Sequence, residues 1–94
     1  MDDNEGKIEP TSPYFLDSGD QPGNLITHVI LTKDNYSAWS RAITIALKAR
    51  RKLVFVDGTI QKSTENRKLL NWETVNSMFI SWILRSIDSK LGLP

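Results

Sequence analysis

Few residues in this chain carry side chains that could do chemistry, and their spacing favours contact over reaction. The one histidine, His28, could ligate a metal or titrate near neutral pH, but no second histidine and no cysteine accompanies it. It reads as an ordinary, partly packed imidazole. With no cysteine at all, disulfides, a thiol nucleophile and Cys-based zinc or iron–sulfur centres are excluded. Asp57 beside Gly58, and Glu65 with Glu73, come nearest to an acid–base pair. Such a pair needs a cleft that holds two carboxyl groups close and raises one pKa. Asp57 is accounted for by a turn, and the glutamates by helix-terminal and surface positions. Serines and threonines are plentiful, yet none has an identifiable base and orienting acid, and no glycine-rich phosphate loop occurs. No catalytic residue, metal ligand or cofactor is therefore assigned, and the expectation is a protein that is not an enzyme.

The remaining chemistry is charge and aromatic surface. The net charge of +1 hides an asymmetry: residues 1–20 hold six acidic side chains against Lys7 alone, whereas residues 41–68 hold eight cations against Asp57 and Glu65. Lys48, Arg50, Arg51 and Lys52, with Arg67 and Lys68, could bind a polyanion by displacing counterions from phosphates. Cations at a helix C-terminus are equally expected as a solvated complement to the macrodipole. Trp39, Trp72 and Trp82 could stack on bases, but helical spacing puts them on core faces.

Two helices must position these residues. Asp34 can cap the first, its carboxylate accepting from first-turn amides. That helix should run from Asn35 to about Arg51, with Tyr36, Trp39, Ile43, Ala46 and Leu47 facing the core. Asp57-Gly58 then demands a turn, and Leu53 with Phe55 or Val56 closes over the helix end. Ser63 or Thr64 can cap a second, longer helix whose apolar period is Leu69, Trp72, Val75, Phe79, Trp82, Ile83 and Ile87, ending near Asp88 and Ser89. From Met78 onward it is apolar almost all round, through Ile80 and Leu84. That surplus needs cover from the segment Leu25 to Leu31, from another subunit or from a following helix. Ile80, Leu84, Ile87 and Leu91 are the candidate self-association residues.

Before the helices, residues 1–24 are polar and broken by Pro10, Pro13, Gly19, Pro22 and Gly23, which predicts a flexible acidic arm. Tyr14-Phe15-Leu16 is the exception, an apolar triplet able to dock on the folded part. Leu25 to Leu31, rich in β-branched residues, reads as extended. Ninety-four residues, 39% hydrophobic and 24% charged, suit one small domain. The fold class is thus mainly α: a small helical domain with two principal helices, a short extended segment and a disordered N-terminal arm. Its core should be Tyr36, Trp39, Ile43, Leu47, Phe55, Trp72, Val75, Phe79, Trp82 and Ile83. No apolar run approaches the ~20 residues of a membrane span, and the acidic start is unlike a signal peptide, so a cytoplasmic or nuclear location without membrane contact is expected.

Three motifs in order carry a family resemblance: Pro13-Tyr14-Phe15-Leu16 with Asp20-Gln21-Pro22-Gly23; Leu31 to Tyr36 with Trp39 and Arg41-Ala42; and Lys52-Leu53 with Phe55 to Ile60, ahead of Trp72 and Ser81 to Leu84. Together they resemble the N-terminal part of the Gag polyprotein of plant copia-type LTR retrotransposons. The resemblance implies a capsid-like helical module over residues 25–94, truncated at its C-terminus, that assembles with other Gag subunits into virus-like particles. It also implies weak contact with RNA, but no Cys/His zinc knuckle is present to carry it.

Overall fold

The computed structural model describes residues 8–91. Over these residues the chain is mainly helical, 49% helix with no strands. Helix α1 spans Tyr36–Ala49, a single-turn helix α2 spans Leu53–Val56, and α3 spans Asn66–Arg85, followed by a 3-10 turn over Ser89–Leu91.

The start of α1 differs from the expected Asp34 cap. Asn35 occupies the cap position and its side chain points backward: Oδ1 accepts from the Thr32 amide at 2.7 Å, and Nδ2 donates to the Ile30 carbonyl at 2.8 Å. The asparagine therefore closes the turn that feeds α1, a local bond that competes with capping. The helix ends in a Schellman motif: Lys52 N–H donates to Leu47 O and Arg51 N–H to Lys48 O, with Arg51 at φ 59°. Reversal there points the chain into α2, whose exit uses Gly58 at φ 85° and a bond from the Thr59 amide to Asp57 Oδ1. A bond involving the Thr59 side chain, together with that amide bond, lowers the Asp57 carboxyl below its ordinary range.

Neither Ser63 nor Thr64 caps α3. Glu65 stands at the cap without a side-chain bond, and Ser63 Oγ instead accepts from the Glu65 amide at 3.1 Å. At the far end, Ser86 is fully buried, donating to Ile83 O and accepting from Trp39 Nε1 at 3.0 Å. This ties the first turn of α1 to the last of α3. The expected extended segment is fixed at the same place by one parallel bridge, Leu31 to Ile87, with Leu31 N–H on Ser86 O and Asp88 N–H on Leu31 O.

The core holds Ile43, Leu47, Phe55, Val75, Phe79 and Trp82, with Trp39, Trp72 and Ile83 half-buried against it. Tyr36 is a correction: it is 66% exposed. It lies in helical register with Ile43 and Leu47, but among the described residues only the Trp39 ring, 6.0 Å away, stacks near it.

A second correction concerns the arm. Residues 14–24 lie as a strap on the helices, while Met1 to Lys7 fall outside the described residues. Tyr14 sets its ring edge on Phe55 at 5.3 Å, and Leu16 packs on the core. Lys52 Nζ donates to Phe15 O at 2.8 Å, Trp82 Nε1 donates to Gln21 O at 2.8 Å, and Gly23 N–H donates to Ser81 Oγ. Pro and Gly forbid a helix here, but they leave the carbonyls free to accept bonds from buried donors on the folded part.

Candidate self-association surface

Helix α3 is covered on its inward face and along one flank. At about 100° per residue, Val75, Phe79, Trp82 and Ser86 form the inward face. The strap runs along the flank, where Tyr14, Phe15 and Leu16 sit beside Asn71, Thr74 and Val75. Opposite the core, Leu70, Glu73, Ser77, Ile80 and Leu84 fall within about 80° of one another, and all are exposed. Leu70 is 64%, Ile80 42% and Leu84 56% open to solvent.

Of the four expected association residues, the structure thus brings Ile80 and Leu84 together on this outward face. Ile87 is half-buried by the bridge to Leu31, and Leu91 sits apart on the 3-10 turn, exposed. Sequence reasoning misses Leu70, because an apolar residue beside Leu69 is absorbed into the inward period. The signal that finds it is the seven-residue spacing of Leu70, Ser77 and Leu84, a repeat that keeps one face over four turns.

The basic residues do not form one surface. Arg50 pairs with Asp20 and lays its guanidinium over the Trp82 ring, 5.0 Å from the centroid. Lys52 is 2% exposed, its Nζ bonded to Phe15 O and Arg50 O. Burial lowers the Lys52 pKa against the opposing pull of Asp20 and Asp17. Both side chains hold the strap, which corrects their placement as phosphate contacts. Lys48 and Arg51 remain exposed at the α1 end, and Arg67 and Lys68 in the first turn of α3, where Lys68 faces Glu65 at 3.4 Å. Lys48 and Arg51, with Pro13, Leu53, Val54 and Asp57, line an open hollow of about 530 Å³. It holds no nucleophile–base pair.

The tryptophans serve the fold. Trp82 is fully buried, Trp39 bonds Ser86, and Trp72 is half-buried with Lys62 5.8 Å from its ring centre. His28 is exposed, and among the described residues no group of three His, Cys, Asp or Glu could hold a metal ion. None of the helices among these residues is long and apolar enough to cross a membrane.

Residues 17–62 match the family model for the Gag-polypeptide of LTR copia-type. Just under half of the chain is therefore similar to a copia-type Gag region. No curated protein and no solved structure gives a match. The matched stretch runs from the strap through α1 and α2 and stops just short of α3. A Gag-related, structural role follows from it. The matched region supplies residues 17–24 of the strap, Ile43, Leu47 and Phe55, and α3 supplies the outward apolar face.

Proposed function

We propose that this chain is a non-catalytic assembly module, contributing helix faces to the self-association of Gag subunits into a capsid or virus-like particle. The observation that carries the reading is the outward stripe of α3. Leu70, Ile80 and Leu84 lie open together on one helix face, on the side away from the core. An apolar stripe in water gains by being covered, and a repeated subunit is the cover an assembly provides. RNA contact falls to Lys48, Arg51, Arg67 and Lys68, since Arg50 and Lys52 are committed to the strap.

Sedimentation over a wide concentration range, with and without RNA, tests the reading. Oligomers that grow with protein concentration in the absence of RNA support it. Ile80→Glu with Leu84→Glu should weaken that growth while leaving thermal unfolding within about 0.5 kcal/mol per site, as for exposed substitutions. A chain that stays monomeric at every concentration and shifts only with RNA, in a salt-dependent way, would refute it in favour of a nucleic-acid-binding module.

A further inference from the structure

Resting on that assembly reading, we infer that α3 pairs with α3 of a second copy, antiparallel, across a two-fold axis at Ser77. Leu70 and Leu84 each stand seven residues from Ser77, so a two-fold rotation there sets Leu70 against the partner's Leu84 and Ser77 against the partner's Ser77. A self-complementary patch of this kind is what an isologous contact requires. Serine at the centre leaves the backbones room to approach, and a leucine at each end supplies a knob for the opposite groove. Such a contact closes on itself and makes pairs, which other surfaces must link into a larger shell.

Area and charge decide the occupant and its strength. The open parts of Leu70, Ile80 and Leu84 amount to roughly 300 Å² per copy, the size of a large patch on a monomer. Doubled, that is roughly 600 Å², about half of what a stable specific complex buries. The pair is therefore weak alone and depends on repetition within an assembly. Exposed Glu73 within the stripe places a negative charge where an anionic lipid surface or a nucleic-acid backbone would have to sit. The two Glu73 side chains of an antiparallel pair are held apart along the axis, so a second copy is tolerated where a polyanion is not.

The chain has no cysteine, which makes disulfide trapping a clean test. Ser77→Cys, Leu70→Cys, Leu84→Cys and, as a control on exposed α1, Ile45→Cys would be oxidised in the full chain, with folding followed by circular dichroism. Ser77→Cys should form covalent dimers roughly tenfold or more above Ile45→Cys, because pairing raises the local thiol concentration. Leu70→Cys mixed with a mass-tagged Leu84→Cys should give the heterodimer. Neither should cross-link with itself, since like positions lie about 21 Å apart along antiparallel helices. Self-cross-linking of both Leu70→Cys and Leu84→Cys overturns the antiparallel register. Cross-linking no better than the Ile45→Cys control, while the parent chain still forms oligomers in sedimentation, overturns the pairing and leaves assembly through another face. A monomeric parent at every concentration overturns both.

Discussion

Removing the Trp82 side chain should bring the domain close to unfolding. The ring is fully buried, its Nε1 bonds Gln21 O in the strap, and the Arg50 guanidinium lies across its face. Truncation of a buried tryptophan to alanine costs ~3–5 kcal/mol through lost transfer energy and an unfilled cavity. The strap hydrogen bond adds ~0.5–1.5 kcal/mol and the cation–π contact ~0.5–2 kcal/mol. The exposed Gln21 and the half-exposed Arg50 recover part of this from water, so roughly 4–7 kcal/mol is expected in all. Against that, a chain of 94 residues holds roughly 5–14 kcal/mol of stability. Urea unfolding read by far-ultraviolet circular dichroism, which does not depend on the lost fluorophore, measures the difference. With a slope of ~1–3 kcal/mol per molar, the Trp82→Ala midpoint should fall by about 1–7 M, or the transition should vanish. Trp82→Phe keeps a ring but loses the donor to Gln21, and should cost only ~1–2 kcal/mol. Loss of less than ~1 kcal/mol in Trp82→Ala would refute the placement of this ring at the junction of strap and helices.

Arg51 adopts a left-handed conformation that glycine accepts without strain, so Arg51→Gly should stabilise by ~0.5–1 kcal/mol, seen as a rise in the thermal midpoint. Lys52 has a folded-state pKa below its unfolded value, so the unfolded chain binds more protons in the window between the two. Its contribution should therefore make stability rise with pH through that window, whose upper end is the ordinary lysine value of 10.5. Denaturation as a function of pH should show this slope in the parent and lose it in Lys52→Met. Deleting Met1 to Thr11 should leave the thermal transition nearly unchanged. Deleting as far as Asn24 also removes Tyr14, Leu16 and the acceptors of Lys52 and Trp82, and should abolish a cooperative transition.

The inward faces of the helices are legible in residue spacing alone. Ile43 and Leu47 on α1, and Val75, Phe79 and Trp82 on α3, recur at helical spacing, and burial follows that period directly. The same reasoning fails at Tyr36, which has the right phase but, as the first residue of α1, lies beyond the Trp39–Ser86 contact that joins the helices and is left exposed. The outward apolar surplus of α3 is also legible, through Ile80 and Leu84. Leu70 requires the helix boundaries, because beside Leu69 its phase is ambiguous until the inward face is known.

Residue types and local order by themselves determined the helical class, the turn at Asp57-Gly58, the lack of thiol chemistry and the motifs shared with copia-type Gag. Those properties are set by nearest neighbours along the chain: side-chain periodicity, backbone freedom and the simple presence or absence of a functional group. Only the tertiary structure decided what became of the cations and of the arm. Arg50 and Lys52 look in sequence like neighbours of Lys48 and Arg51 in one basic run. The Schellman reversal at Arg51 divides them, turning Lys52 inward to the Phe15 carbonyl and leaving Arg51 in solvent. The docking of Tyr14 and Leu16 is foreshadowed by their apolar triplet, but the strap is also held by the Phe15 and Gln21 carbonyls, a group every residue possesses and no sequence pattern marks. Their pairing with Lys52 and Trp82 spans 37 and 61 residues, and is fixed by where the folded helices place those donors.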